Sequence, residues 1–222
     1  MAALFGSTKA KDWIKGRKSW KNSISKIENT KDSIWIHAAS HGEGLMAIPL
    51  IEELSKEFPE HQFAWKVLAA VLKQKGEINE SLIISQKSVQ LDPQDAGAHY
   101  NLGATLQELR RLEEAEASYK QSITLKPDFA EVHHNLGVIL QEQGRFKEAE
   151  ASYRQTITLK PDLAQAHHSL GNVMIKQGKL EEAEASYRQA IILNPNLAKA
   201  NNNLGIIMKK QGKLEEAAAS YR

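Results

Sequence analysis

The sequence predicts an all-α fold: a stack of helical hairpins, preceded by a short strand-turn-helix segment. Three observations carry that expectation. Pro59, Pro93, Pro127, Pro161 and Pro195 stand 34 residues apart. The stretches between them spell one pattern, AEVHHNLGVILQEQGRFKEAEASYRQTITLKPDL from Ala130 and AQAHHSLGNVMIKQGKLEEAEASYRQAIILNPNL from Ala164. Glycine, alanine and tyrosine recur inside the pattern at fixed places. A fixed period of this length marks an array of one supersecondary unit whose neighbours share a continuous core.

The units run 62–95, 96–129, 130–163, 164–197 and, in part, 198–222. The first is degenerate but keeps Trp65, Leu68, Ala69, Leu72 and Pro93 in register. Numbering each unit 1 to 34, position 8 is Gly103, Gly137, Gly171 and Gly205, and position 20 is Ala115, Ala149, Ala183 and Ala217. Small residues there let two helices approach closely. Position 15 is Gly144, Gly178 and Gly212, placed for the left-handed turn that ends a helix. Arg110 occupies it in one unit, which predicts a strained or differently shaped turn. Position 24 is Tyr119, Tyr153, Tyr187 and Tyr221, a large filler between layers. Glutamates at 113–114, 148, 181–182 and 215–216 open the second helix at its positive dipole end. The proline at position 32 closes it.

This pattern resembles the tetratricopeptide repeat (TPR) family over residues 62–222. The resemblance implies a right-handed superhelical solenoid with a groove lined by the first helix of each pair.

Composition sets the outer bounds. The 222 residues contain no cysteine, so neither a disulfide framework nor a cysteine metal site is expected. No apolar run approaches the ~18 residues of a membrane span. The first 30 residues are polar and basic, unlike a secretory signal, and a cytoplasmic location is the default expectation. Net charge is +2, yet residues 1–34 hold eight Lys/Arg against three Asp/Glu. Such an arm can touch anionic lipid or nucleic acid. It reads here as a solvated segment, with no nucleic-acid partner.

The N-terminal region departs from the repeat. SIWIHAAS (33–40) is a β-type run, HGEG (41–44) a turn, and LMAIPLIEELSKEF (45–58) an amphipathic helix. FGSTKAKDWIKGRKSW, IWIHAASHGEG and PLIEELSKEFP are similar to the start of bacterial Kdo transferases, glycosyltransferases with two Rossmann-like domains. That resemblance covers about residues 4–60 and places the family's catalytic base on Glu43. His41 and the Gly-Leu-Met after Glu43 depart from the family's spelling, and a domain for the sugar nucleotide is not expected in this chain. HGEG as an anion-binding loop is too weak a pattern to retain.

The two resemblances meet at Pro59. Counted back from it, Ala47, Ile51 and Leu54 fall on positions 20, 24 and 27. The expected organisation is a basic segment 1–44 with one strand, a helix at 45–61 capping the solenoid, and repeats over 62–222, as in a fusion or chimera. The strand lacks an obvious partner, and an isolated strand is not stable alone.

Candidate sites lie on the first helices. Position 6 carries Asn101, Asn135, Ser169 and Asn203. A ladder of amides both donates and accepts, so it suits the backbone of an extended peptide. The spelling HxNLG resembles the superhelix of peptide O-GlcNAc transferases, where such a ladder grips polypeptides. Ordinary repeat consensus on a solvated face explains the same residues. Position 5, with Tyr100, His134, His168 and Asn202, is expected to line the groove, and position 4 to be buried between helices. The carboxylate clamp of chaperone-tail TPRs is absent. Lys66 and Asn101 fit it, but Ala70, Glu131 and Asn135 do not.

The pairs His133/His134 and His167/His168 invite a metal reading. Adjacent helical residues diverge by about 100° and cannot share an ion. No metal or cofactor is expected. Glu108, Glu131 and Glu142 early in the groove, against Lys176, Lys199, Lys209 and Lys210 late in it, predict a charge gradient that would orient a peptide. The expected function is a non-catalytic module binding an extended peptide or protein. The alternatives are a Kdo transferase fragment, with Glu43 as base, and an assembly scaffold. Self-association is expected through the N-terminal strand edge or through a final layer leaving Leu204, Ile207, Met208, Leu214 and Tyr221 partly uncovered.

Overall fold

The computed structural model describes residues 62–212. The expected strand 33–40, the capping helix 45–58, Glu43, Leu214 and Tyr221 lie outside the described residues. The chain divides into two compact units, Met1–Leu109 and Arg110–Arg222. Among the described residues the structure is all-α.

The first unit contains α1 (Gln62–Gln74), α2 (Ile78–Leu91) and α3 (Ala96–Glu108). Leu68, Val71 and Leu72 of α1 form its core, with Trp65, Val67 and Ile84 packed against them. This degenerate repeat places serine where other units place alanine or tyrosine. Ser81 holds position 20, donates to the Ala69 carbonyl at 2.8 Å and lies 3.1 Å from the Thr105 hydroxyl. Ser85 holds position 24, and its buried hydroxyl has no partner among the described residues. Asp95 caps α3, accepting from the amides of Gly97 at 2.7 Å and Ala98 at 3.2 Å.

The second unit contains α4 (Leu112–Leu125), α5 (Ala130–Glu142), α6 (Phe146–Leu159), α7 (Ala164–Lys176), α8 (Leu180–Leu193) and α9 (Ala198–Lys210). Each helix packs on the next in sequence. On α5 the buried residues Val132, Leu136, Ile139 and Leu140 make a stripe at helical spacing. The turns are as the glycines predict. Gly144 has φ +75°, its amide donates to Gln141 O, and Arg145 N donates to Leu140 O. Those two bonds are a Schellman motif. Gly178 and Lys179 repeat it. Arg110 enters the same left-handed region, at φ +60°.

The tyrosines fill the layers: Tyr119, Tyr153 and Tyr187 are at most 1% exposed. Position 8 owes its glycine to them. A Cβ at Gly137 would lie 2.7 Å from Tyr153 Cε1, and one at Gly171 would lie 2.6 Å from Tyr187 Cε1. Polar links between layers also repeat. Glu116 accepts from Arg145 at 2.7 Å, and Glu150 from Lys179 at 3.1 Å. Burial raises the pKa of both carboxylates, but the basic partners outweigh it and hold them below the ordinary value.

One sequence expectation fails here. Leu204, Ile207 and Met208 are 5%, 0% and 2% exposed, so they form no bare end. Their 204, 207, 208 spacing makes one inward stripe on α9, which packs against α8. The large apolar residue that α9 exposes is Ile206, at 47%.

Candidate functional site

The first-helix face of the second unit is built from α5, α7 and α9. It holds an open cleft of about 270 Å³, lined among others by Gln141, Asn172, Ile175, Lys176, Asn203 and Ile206. In repeat numbering these side chains come from positions 6, 9, 12 and 13. The sequence singled out position 6 and missed positions 9 and 12. Val138, Asn172 and Ile206 share position 9 but not chemistry, so repetition did not flag them.

The ladder residues reach inward. Asn135 Nδ2 stands 3.5 Å from the Tyr119 hydroxyl, and Asn203 Nδ2 donates to the Tyr187 hydroxyl at 3.3 Å. Asn135 and Asn203 therefore meet the tyrosine of the preceding repeat. Ser169 Oγ stands 3.5 Å from His134 Nε2, and the Tyr153 hydroxyl donates to Gln141 Oε1 at 3.2 Å. Asn203 Nδ2 also donates to Asn172 Oδ1 at 3.0 Å, and that oxygen accepts from the Tyr187 hydroxyl at 2.7 Å. Burial raises the phenol pKa of both tyrosines, Tyr187 to about 12, so both stay neutral donors. In the first unit, where Ser85 replaces the tyrosine, Asn101 Nδ2 instead donates to the Lys66 carbonyl at 3.3 Å. Ser169 is only 6% exposed, whereas Asn135 and Asn203 keep intermediate exposure.

The histidines reverse their expected roles. Position 4 is a loop clamp at the surface. His99, His133 and His167 place Nε2 2.9–3.0 Å from the carbonyls of Pro93, Pro127 and Pro161. A carbonyl only accepts, so the imidazole N–H donates. Asn201 makes the same link to Pro195 at 3.2 Å. Position 3 takes the buried place instead: Ala98, Val132, Ala166 and Ala200 are 0% exposed. Position 5 turns toward the tyrosines. His134 lies 5.5 Å from the Tyr153 ring and His168 lies 5.7 Å from that of Tyr187, centroid to centroid. His168 is only 5% exposed, so it supports the face rather than lining it. Burial lowers the pKa of both rings, and the Lys199 charge adds to the effect at His168. Asn202 is exposed, and Tyr100 is half-buried in the first unit. No cluster that could hold a metal occurs among the described residues.

Ion pairing changes the charge pattern read from the sequence. Glu131 pairs with Lys160 at 3.3 Å, Glu142 with Arg110 at 2.6 Å, and in the first unit Glu108 lies 4.0 Å from Lys73. The early carboxylates are thus matched by cations. Lys176, Lys199 and Lys209 are exposed and have no carboxylate partner among the described residues. In the first unit Lys66 is tied to Asp95 at 2.6 Å, which also accepts from Gln62 at 2.8 Å. No described helix is long and apolar enough to cross a membrane.

Residues 94–162 match the family described as tetratricopeptide repeat, and residues 171–212 match a TPR repeat family. Residues 15–77 match 3-deoxy-D-manno-octulosonic-acid transferase (Kdo transferase), a stretch that runs through α1. No curated protein sequence matches significantly. Among solved structures, PilF of Pseudomonas aeruginosa superposes with TM-score 0.68 at 23% identity, covering 72% of this chain and 73% of its own. MamA gives 0.66 at 22%, covering 69% and 90%. YrrB, described as a TPR protein with an unusual peptide-binding site, gives 0.66 at 20%, covering 77% and 88%. At these identities the likeness is one of fold. Over residues 94–212 the chain is built of tetratricopeptide repeats, joined to an N-terminal stretch that matches the Kdo transferase family.

Proposed function

We propose that this protein is a non-catalytic interaction module that binds an extended peptide on the α5–α7–α9 face. The observation that carries this reading is the cleft where Asn172 and Asn203 stand beside the exposed Ile206. Asn203 spends its amide nitrogen on Tyr187, Asn172 and His168, while its Oδ1 has no partner among the described residues. That oxygen is placed to accept a peptide N–H. Asn135 and Asn202 extend the face, with His134, His168 and Ser169 supporting it from beneath. Asn101 and Tyr100 hold the same repeat positions in the first unit. A cleft of about 270 Å³ is smaller than most small-molecule sites, which run roughly 300–1,000 Å³. It suits one side chain of a longer ligand.

The test is fluorescence anisotropy with a labelled random-peptide pool. Asn203→Ala should weaken binding by about 1 kcal/mol, one net hydrogen bond. Ile206→Asp should weaken it further. Absence of binding by the folded chain would leave the assembly-scaffold reading in its place.

The Kdo transferase match favours a second reading, with Glu43 as a catalytic base. Transfer of Kdo from its nucleotide to a lipid A precursor, abolished by Glu43→Ala, would carry that reading. No transfer is expected from the repeat-based one.

A further inference from the structure

The first helices of the last two repeats are one-sided in charge. Neither α7 nor α9 contains an aspartate or glutamate, and together they carry Lys176, Lys199, Lys209 and Lys210. Other lysines of the second unit are paired across layers, as Lys179 is with Glu150 and Lys160 with Glu131. Lys176, Lys199 and Lys209 are exposed without such a partner among the described residues. Of the carboxylates on α8, Glu182 is engaged with Arg154 and Glu184 with Arg188, while Glu181 is exposed. Lys199 acts on His168, which places its charge beside the ladder. Lys176 lines the cleft itself, next to Ile175 and Ile206.

We propose that the α7–α9 end of the cleft takes an acidic protein segment with one large apolar residue between its carboxylates. This rests on the peptide-binding reading of the same cleft and specifies the occupant. The apolar side chain enters between Ile175 and Ile206. The flanking carboxylates meet Lys176 at the C-terminal end of α7 and Lys209 at that of α9, with Lys199 at the N-terminal end of α9. Unmatched cations of one sign attract an oppositely charged segment and set its direction. The aliphatic wall separates this occupant from a generic polyanion, since phosphate contacts alone do not require Ile206.

The experiment uses the whole chain and labelled peptides in fluorescence anisotropy at low and high ionic strength. The probes are DEDLDED, its amide counterpart NQNLNQN, the truncated DEDADED and a single-stranded DNA oligomer of matched charge. DEDLDED should bind about tenfold more tightly than either peptide control at low salt, with the margin over NQNLNQN shrinking at high salt. Lys176→Gln/Lys199→Gln/Lys209→Gln should erase the preference for acid. These lysines are exposed helix residues, and circular dichroism checks that the variant stays helical. Equal binding of DEDLDED and NQNLNQN would overturn the acidic occupant while leaving the peptide groove standing. DNA binding tighter than DEDLDED, or equal binding of DEDLDED and DEDADED, would also overturn it. No binding of any peptide would remove the groove reading as well.

Discussion

Tyr153 stands under Gly137 so closely that a methyl group at residue 137 would lie 2.7 Å from its Cε1. The tyrosine is 1% exposed and packed from all sides, so its ring has little room to yield. Gly171 and Tyr187 repeat the relationship. The repeats 130–163 and 164–197 are thus each keyed by a glycine on the first helix and a tyrosine on the second.

Gly137→Ala tests the key. Alanine gains about 1 kcal/mol of helix propensity over glycine. Forcing it against the ring costs about 1–3 kcal/mol of overpacking. The balance is destabilising by about 1 kcal/mol. In a Tyr153→Ala background the clash is gone, and the same Gly137→Ala change should become neutral or stabilising. Urea unfolding of the four proteins reads both effects. Stabilisation by Gly137→Ala with Tyr153 intact would show that the layer has slack.

Arg110 holds a left-handed turn that Gly144, Gly178 and Gly212 hold elsewhere. A non-glycine residue there costs about 1–2 kcal/mol. Its ion pair with Glu142 is largely exposed and worth about 0–1 kcal/mol. Arg110→Gly should therefore stabilise the protein by about 0.5–1 kcal/mol, while Arg110→Ala keeps the strain and does not. A shift of the urea midpoint to lower concentration in Arg110→Gly would reverse the ranking of these two terms.

What the sequence makes legible, and what it hides, follows from how each feature is encoded. Helix ends were readable because Pro127 and Gly144 constrain the backbone directly, whatever surrounds them. Tyr153 was readable as filler because a large residue at a fixed interval has few places to go. The roles of His133 and His134 were not readable from spacing. An imidazole can clamp a carbonyl six residues back or lie against a ring, and only the rotamer decides. The inward turn of Asn203 was hidden for the same reason, since its partner Tyr187 belongs to the preceding repeat. Pairing of Glu131 and Glu142 depends on Lys160 and Arg110, 29 and 32 residues away, which a charge gradient along one helix face does not register.

Asp95 gives the first unit an acid-sensitive joint. Burial alone would raise its carboxyl pKa, but Lys66, Gln62 and the Ala98 amide outweigh it and hold it below the ordinary 3.8. A carboxyl depressed in the folded state releases its proton more readily there than when unfolded. The stability it lends is present above about pH 3.8 and is lost as pH falls through the depressed folded value. Asp95→Ala should cost about 1–2 kcal/mol at neutral pH, through loss of the cap. It should also flatten the acid limb of the stability curve. An unchanged acid limb in Asp95→Ala would mean that other carboxylates govern it.

Asn135 and Asn203 occupy the same repeat position but should respond differently to truncation. Asn135 reaches Tyr119 at 3.5 Å, the outer limit of a hydrogen bond, so Asn135→Ala should change stability by less than about 0.5 kcal/mol. Asn203 is bound to Asn172 at 3.0 Å and to Tyr187 at 3.3 Å. Removing it strips two donated bonds from half-buried acceptors, and Asn203→Ala should cost about 1–2 kcal/mol. The Tyr187 hydroxyl still donates to Asn172, which limits the loss. Asn203→Asp should be worse than alanine, because a carboxylate offers no donor to Asn172 Oδ1 and must be held in a half-buried place. Equal stability losses for Asn135→Ala and Asn203→Ala in urea unfolding would show that the ladder acts as a uniform row, with its tyrosine bonds contributing nothing.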